Sequence, residues 1–256
     1  MRSPRPMDTH AAFAQSMSLP AGALAGQATF SGCLAKLELP VDALVAVVPA
    51  GATLAGNDGS LHSCLIAFGE QAEGTTFFGG WPMPWGICYH ELLVGIPLAA
   101  CPPLAGPQLF VAGMTCDFWP AVWNGNVYYG FRKRFAAMTG DAAHFMVMNE
   151  DGAPVFTASV DVRDSADRDA LGWIQSTVSL PILGKRDDGV LVHSAFAWDF
   201  SGAGIEPASL RVAVRRGFEE LPEGAQGQLR SEHAYAVRRM RWGLGWPSPA
   251  VPVART

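Results

Sequence analysis

Lysine is scarce in this chain of 256 residues, where fifteen of the eighteen basic residues are arginine and the lysines are Lys36, Lys133 and Lys185. Charged residues of all kinds make up only 16% of the chain. This is well below the usual quarter, so extensive buried surface is expected. The net charge of −5 argues against nucleic acid as a general partner.

Long uninterrupted hydrophobic runs are also missing. Two stretches of 25 residues carry no charge, Ala11–Ala35 and Leu92–Cys116, but proline, glycine and polar residues interrupt both. Neither stretch therefore predicts a membrane span. The segment that follows Arg2 and Arg5 has too diluted an apolar core for a secretory signal. These absences predict a soluble cytoplasmic protein without a membrane partner.

Metal-binding patterns are absent as well. The five cysteines are odd in number and show no C-x-x-C spacing, and the six histidines are scattered. Each cysteine lies among apolar or small residues, which predicts buried reduced thiols rather than disulfides or zinc ligands. The sequence therefore predicts no metal and no cofactor.

Most of the chain has the composition and punctuation of β-strands. The predicted strands are Leu61–Phe68, Ile87–Leu98, Gln108–Met114, Pro154–Val162, Val190–Phe200 and Leu229–Leu244. Turn residues at Asn149–Gly152 and Asp187–Gly189 predict hairpins. Helical periodicity is limited to part of Ala166–Ile174 and a turn at Gly217–Leu221, and the charged segment Arg163–Asp169 predicts a surface loop.

One domain accounts for this pattern. We predict a mainly β fold, an antiparallel sheet that is closed or nearly closed into a barrel, over residues 21–256. Residues 1–20 are predicted to form an N-terminal arm that is disordered or packs on a neighbouring subunit.

Lys133 has the most unusual surroundings of the three lysines. It stands between Arg132 and Arg134 in a segment rich in aromatic residues. Neighbouring cations and apolar surroundings both disfavour the ammonium form and lower its pKa. Only about one ordinary lysine in 2,500 is neutral at pH 7, so the ammonium must be destabilised by about 4 to 5 kcal/mol before much neutral amine is present. A neutral amine attacks carbonyl carbon, which makes Schiff-base chemistry the leading hypothesis. The other interpretation is that Arg132, Lys133 and Arg134 form an ordinary basic strand end whose side chains face water.

Glu91 lies in an otherwise apolar strand. The period of two places it on the same face as Tyr89 and Leu93. A carboxylate in such a strand is costly unless it is paired or borders a cavity. Glu91 is therefore either a structural glutamate, exposed or bonded to an arginine, or a group with a chemical role.

These two segments resemble the acetoacetate decarboxylase family. The family has a Tyr-x-Glu strand, which Tyr89-His90-Glu91 matches, and further on a Gly-Arg-Glu-x-x-Gly-Phe-Pro-Lys-Lys-Leu segment. The second segment is matched in its two glycines, its Phe and its first Lys by Gly125, Gly130, Phe131 and Lys133. The resemblance covers about residues 61–247. It implies a cone-shaped β-barrel, a homo-oligomer and a Schiff-base lysine at Lys133 with Glu91 near its amine.

Several positions depart from the family pattern. No arginine occurs between Arg5 and Arg132, so the family's arginine for the substrate carboxylate has no counterpart there. These departures argue against acetoacetate as the substrate and leave open the aldolase-dehydratase chemistry of some similar proteins. The other departures are positions where this chain has a different residue from the family. Asn126-Val127 stands in place of the family's Arg-Glu, Arg132 in place of its Pro, and Arg134 in place of its second Lys. Thr75-Thr76 stands where a second glutamate of the family's site is expected.

The sequence thus predicts a lyase that forms a Schiff base between Lys133 and a small ketone or keto acid, for decarboxylation or for aldol and dehydration chemistry. Glu91 would position or shuttle a proton, and Arg134 would supply the adjacent cation. The predicted substrate contacts are Tyr89, Tyr128, Trp123, Arg132 and Trp85. The alternative is a binder, or a non-covalent cyclase or isomerase of an apolar metabolite, in which Lys133 and Glu91 form a buried ion pair.

Overall fold

The computed structural model describes residues 24–56, 59–78, 81–84, 86–164, 168–222 and 226–250. The N-terminal arm predicted over residues 1–20 lies outside these ranges. The strands are β1 Leu24–Pro40, β2 Thr53–Leu54, β3 Leu61–Phe78, β4 Trp81–Pro84, β5 Tyr89–Ala100, β6 Gln108–Cys116, β7 Lys133–Phe135, β8 Met138–Gly140, β9 His144–Met148, β10 Pro154–Val162, β11 Ile182–Lys185, β12 Leu191–Ser194, β13 Phe196–Asp199, β14 Gly204–Val214, β15 Gly227–Gly245 and β16 Ser248–Pro249.

Helices are few. They are α1 Val41–Val45, α2 Trp119–Asn124, a π-helical turn at Gly125–Tyr129, and α3 Arg168–Val178. The prediction of a mainly β fold is therefore confirmed.

The strands form one sheet in the order β16-β12-β11-β6-β5-β3-β1-β15-β14-β10-β9-β8. Most neighbours are antiparallel, and β6 pairs in parallel with both β11 and β7. Among the described residues this sheet has two ends, at β16 and β8, so it does not close into a continuous barrel. The two end strands are short, with two and three residues.

Both faces of the central strands are buried. Along β3, Cys64, Ile66 and Phe68 point into one apolar cluster, while Leu65 and Ala67 point into another. Burial on both faces explains why these segments are almost continuously apolar rather than alternating. Helix α3 covers the second cluster, and the candidate site described below lies on that same face of the sheet.

Strand β1 was not predicted, because its glycine and alanine residues dilute the β-branched and aromatic signal. One of these glycines is needed for the pairing of β1 with β3. A Cβ atom on Gly32 would lie 2.1 Å from the carbonyl oxygen of Phe68, so a larger residue would force the two strands apart.

The other predicted elements have mixed outcomes. The hairpin at Asn149–Gly152 is confirmed, since the Asn149 amide donates to the Ala153 carbonyl at 2.9 Å. The segment predicted as one strand from Val190 is divided into β12 and β13. Helix α3 begins inside the predicted loop Arg163–Asp169, and Gly217–Leu221 contains no helix.

Cys88 is exposed, because it precedes β5 instead of lying within it, whereas the other four cysteines are buried and reduced.

Across the described ranges, no helix is long and apolar enough to span a bilayer. The same ranges contain no cluster of three or more His, Cys, Asp or Glu side chains that could bind a metal ion.

Candidate active site

Lys133 is the first residue of β7, a strand of three residues that pairs in parallel with β6 opposite Met114. The chain reaches β7 through two left-handed residues, Gly130 with φ 63° and Arg132 with φ 51°. A proline ring holds φ near −65°, so proline could not occupy the position of Arg132 with this backbone. The departure from the family's Phe-Pro-Lys pattern therefore accompanies a different local path of the chain.

Asn126 fixes the backbone of Lys133. Its side-chain amide donates to the Lys133 carbonyl at 2.8 Å, and its side-chain oxygen accepts from the Lys133 amide at 2.5 Å. Asn126 lies in the π-helical turn, a type of irregularity that is frequent at functional sites.

Gly125 provides the space for the side chain of Lys133. A Cβ atom at this position would lie 2.7 Å from Cδ and 2.8 Å from Cε of Lys133. The lysine stem therefore passes directly over the glycine. A side chain at position 125 would collide with this stem, which explains in steric terms why the chain has glycine here, as the family pattern does.

The amine of Lys133 meets the carboxylate of Glu91. The distance between Nζ and Oε2 is 2.5 Å, and the two side chains are only 9% and 11% exposed. Strand β6 lies between their strands: it pairs with β5 at Glu91 and with β7 at Lys133. The structure thus joins two residues that are 42 positions apart in the sequence.

The pKa of Lys133 is raised, contrary to the expectation from the sequence. Burial lowers this pKa, but the charge of Glu91 and its hydrogen bond to the amine raise it, and the net direction is upward. The flanking arginines do not contribute, because their side chains are exposed and do not line the cavity around Lys133. The raised pKa favours the ammonium form of Lys133 beside Glu91.

A hydrogen-bonded chain holds Glu91 from its other side. The indole N–H of Trp242 donates to Oε1 of Gln71 at 2.7 Å, and the Gln71 amide donates to Oε1 of Glu91 at 3.4 Å. The indole orients the amide so that its NH₂ group faces the carboxylate. Gln71 is buried, and neither it nor Trp242 was among the residues selected from the sequence.

Tyr89 lies beside the pair, on the face that the period of two predicted for it. Its ring packs on Phe118 with centroids 5.4 Å apart. Burial, with the charge of Glu91 adding to it, raises the pKa of Tyr89 well above its usual value. The group is therefore a neutral phenol that can donate a hydrogen bond at any moderate pH.

Two adjoining cavities, of about 100 and 60 Å³, meet at Lys133. We call them the outer and the inner cavity. Glu91 and Gln71 line the inner one, while Thr75 and Asn124 line the outer one. The residues common to both are Tyr89, Phe131, Lys133, Trp242 and Leu244.

The remaining predicted site residues lie elsewhere. Trp123 and Tyr128 are each 47% exposed, pack edge to face on one another, and line neither cavity. The Arg132 side chain is exposed. Arg134 points into a separate cavity and pairs with Glu219 at 3.3 Å, because successive strand residues face opposite sides. Trp85 lies outside the described residues.

Several residues that line the cavities were missed by the sequence reasoning. Phe131 was matched to the family's second segment but was not assigned to the site, and Trp198 had no local signal. Gln71 could have been found from the rule that a buried polar side chain in an apolar strand needs a partner. Pairing of β3 with β5 places it opposite Tyr89, two residues from Glu91.

Comparison with solved structures identifies the class of fold. Acetoacetate decarboxylase from Legionella pneumophila matches with a TM-score of 0.61 and 13% identity, over 100% of this chain and 94% of that one. An acetoacetate decarboxylase-like enzyme from Sphingomonas wittichii RW1 matches with a TM-score of 0.61 and 17% identity, over 89% and 92%. The enduracididine biosynthesis enzyme MppR complexed with pyruvate gives 0.62 and 14%, over 89% and 91%.

The chain therefore has the acetoacetate decarboxylase fold, as the resemblance of its sequence segments predicted. At identities of 13 to 17% the likeness extends to the fold and no further. No family model and no curated protein sequence matches the chain.

Proposed function

We propose that this protein is a lyase that forms a Schiff base between Lys133 and a carbonyl substrate. The observation that carries the proposal is the buried amine of Lys133, 2.5 Å from the Glu91 carboxylate and at the meeting point of two cavities. The structural neighbours include enzymes, among them a decarboxylase and a protein that was crystallised with pyruvate, a carbonyl compound.

The first step is the release of a proton from the amine. Because the pKa of Lys133 is raised, solvent does not supply a neutral amine at moderate pH. Glu91 lies at hydrogen-bond distance and accepts that proton as the amine attacks the carbonyl carbon. The hydroxyl of the resulting carbinolamine then leaves as water, with the proton that Glu91 returns to it, and an iminium ion forms.

The iminium ion keeps the positive charge that the ammonium carried, so the Glu91 carboxylate stabilises it in the same place. The iminium group draws electrons from the neighbouring carbon. This allows carbon dioxide to leave, or allows a proton to leave so that the resulting enamine forms a carbon–carbon bond. Hydrolysis returns the amine and takes up the water that was released.

The second candidate is a protein of the same fold that binds an apolar metabolite, or acts as a cyclase or isomerase on it, without covalent chemistry. The ion pair itself favours it, because a buried ammonium and carboxylate of opposite charge form a stable arrangement without any reaction. In that case Lys133 has a structural role. Removing it would leave Glu91 as an unpaired buried charge, which is strongly destabilising.

Reductive trapping distinguishes the two functions. The wild type, Lys133→Arg and Lys185→Arg are incubated with a panel of ketones, aldehydes and keto acids in cyanoborohydride, and the intact masses are measured. Lys133→Arg keeps a cation beside Glu91 but cannot form an imine, and Lys185 is exposed at the end of β11. The proposal expects the adduct mass on the wild type and on Lys185→Arg, and its loss from Lys133→Arg. An adduct that persists on Lys133→Arg would support the second candidate.

A further inference from the structure

The charges that border the two cavities define a substrate class. Of all described residues that line the outer and inner cavities, only Lys133 and Glu91 are ionisable to a full charge near pH 7. These two groups neutralise one another at 2.5 Å. The combined site is therefore electrically neutral before a substrate enters.

The remaining lining is apolar or neutral. The inner cavity is bordered mainly by apolar and aromatic groups, among them Phe30, Ala67, Leu93, Met114, Ile182 and Leu244. A carboxylate that entered this space would become a second anion beside Glu91. It would lose its hydration without gaining a cation of its own, which is costly in an apolar environment.

The nearest arginines along the chain do not relieve this cost. Arg134 is paired with Glu219 at a separate cavity, and the Arg132 side chain is exposed and borders neither cavity. Arg241 is next to Trp242 in the sequence, but it pairs with Asp199 at 2.5 Å.

A neutral hydrogen-bond donor is available instead. The indole N–H of Trp198, which borders the inner cavity, is buried and has no hydrogen-bond partner among the described residues. The phenol of Tyr89 borders the same space. One or two neutral donors match a carbonyl or hydroxyl oxygen, whereas a buried carboxylate requires several donors or a cation.

We propose that the substrate is an uncharged ketone or aldehyde with an apolar substituent, held with its carbonyl carbon at Lys133. This rests on the proposed function and narrows it. A neutral substrate has no carboxylate to lose, so the matching reaction is the formation or cleavage of a carbon–carbon bond. In that reaction Glu91 takes a proton from the carbon next to the iminium group, and the resulting enamine attacks a second carbonyl compound. The new carbon–carbon bond restores the iminium ion, the oxygen of the second compound takes the proton back from Glu91, and water then releases the product from Lys133.

The test compares pairs of compounds that differ in charge. Pyruvate and methyl pyruvate, and acetoacetate and methyl acetoacetate, are each trapped on Lys133 with cyanoborohydride. Each rate is divided by that of the same compound with butylamine, which removes differences in intrinsic reactivity. The expected result is that each ester is trapped at least tenfold faster than its acid.

Two variants test whether the ester preference is caused by the lack of a free cation in the site. Thr75→Arg places a cation in the lining of the outer cavity, and Thr75→Met adds a side chain of comparable length without charge. The arginine variant is expected to reduce the ester preference at least threefold, and the methionine variant to retain it. Acids trapped as fast as their esters by the wild type would overturn the inference and leave the proposed function standing. No adduct from any of the four compounds on Lys133 would overturn both.

Discussion

The pair of Lys133 and Glu91 combines two opposing effects on one amine. Burial disfavours the ammonium, while the carboxylate at 2.5 Å favours it by more. The amine therefore favours its protonated form, and the carboxylate that stabilises the ammonium is also the nearest acceptor for its proton. This is a different route to a reactive lysine from the lowered pKa that two flanking cations would give.

Glu91→Gln should change how reactivity depends on pH. In the proposed mechanism Glu91 takes the proton directly from Lys133, so the reaction does not wait for solvent to deprotonate the amine, whose pKa is raised. The trapping rate of the wild type should therefore be nearly constant from about pH 6 to about pH 9. In the variant the carboxylate is gone while burial remains, so the pKa of Lys133 falls. Its trapping rate should rise with pH and level off where the amine has titrated.

The measurement is the trapping rate on Lys133 across that pH range. Gln71→Met, which removes the bond to Glu91 without charge, is the matched control and should keep the flat profile. A wild-type rate that rises about tenfold with each pH unit would contradict proton transfer to Glu91.

The sequence indicated Lys133 and Glu91 as the two ionisable partners, but it did not indicate the direction in which the pKa of Lys133 is shifted. The aromatic and basic neighbours of Lys133 are visible in the chain. The deciding charge, Glu91, lies 42 positions away and is brought close only by the pairing of three strands. The partners of Glu91, which are Gln71 and Trp242, depend on the same pairing.

The element that carries Lys133 is short and closely supported. Helix α2 continues into the π-helical turn, two left-handed residues follow, and β7 begins at Lys133. Asn126 bonds both backbone groups of Lys133, and Gly125 leaves room for its stem. The matching glycines indicated this element from the sequence, but the exposed positions of Trp123 and Tyr128 could not be predicted, because an irregular turn has no simple period.

Gly125→Ala should displace the amine without unfolding the protein. The backbone at Gly125 is right-handed helical, with φ −59°, so alanine fits there. Its Cβ would meet only the flexible stem of Lys133, at 2.7 Å from Cδ. The stem must move, and we expect trapping on Lys133 to slow at least tenfold, which corresponds to about 1.4 kcal/mol or more.

Gly172→Ala is the matched control, because a Cβ atom on this exposed glycine of α3 meets nothing within 4 Å. It should leave the trapping rate unchanged and raise the free energy of unfolding by about 0.5 to 1 kcal/mol. Equal trapping rates for Gly125→Ala and the wild type would show that the contact does not position the amine.

The whole molecule is one sheet with apolar clusters on both faces, and the site lies on one of them. The sequence predicted the mainly β class and the long strands β3, β5, β6, β10 and β15, since these depend on local composition. It did not predict the long strands β1 and β14, most of the short strands or the two ends of the sheet. Strand β1 has little local signal and is held by β3 and β15, and closure depends on the relative position of strands far apart in the sequence.

A buried carboxylate away from the site should make the stability of the whole molecule depend on pH. Burial raises the pKa of Glu220, although a hydrogen bond donated by Thr115 opposes this. The folded state then holds a proton that the unfolded state has released, so this group's contribution to stability is lost as the pH rises from the ordinary glutamate value, near 4.5, through the raised one.

Glu220→Gln should remove that loss, because the amide is neutral and its oxygen can accept from Thr115. We expect the variant to gain on the order of 1 kcal/mol over the wild type as the pH is raised through this window. Urea unfolding at several pH values measures the difference. A difference that stays constant with pH would show that Glu220 is not held in its protonated form.

We propose that the buried amine beside Glu91 is the reactive one, and because the chain has only three lysines, the modified residue can be identified directly. The native protein is trapped with a neutral ketone and cyanoborohydride near pH 7, digested, and the adduct is located by peptide mass spectrometry. We predict the adduct on Lys133 at high occupancy, with little on Lys36 or Lys185. An adduct on Lys36 or Lys185, with Lys133 unmodified, would contradict the assignment of Lys133 as the reactive lysine.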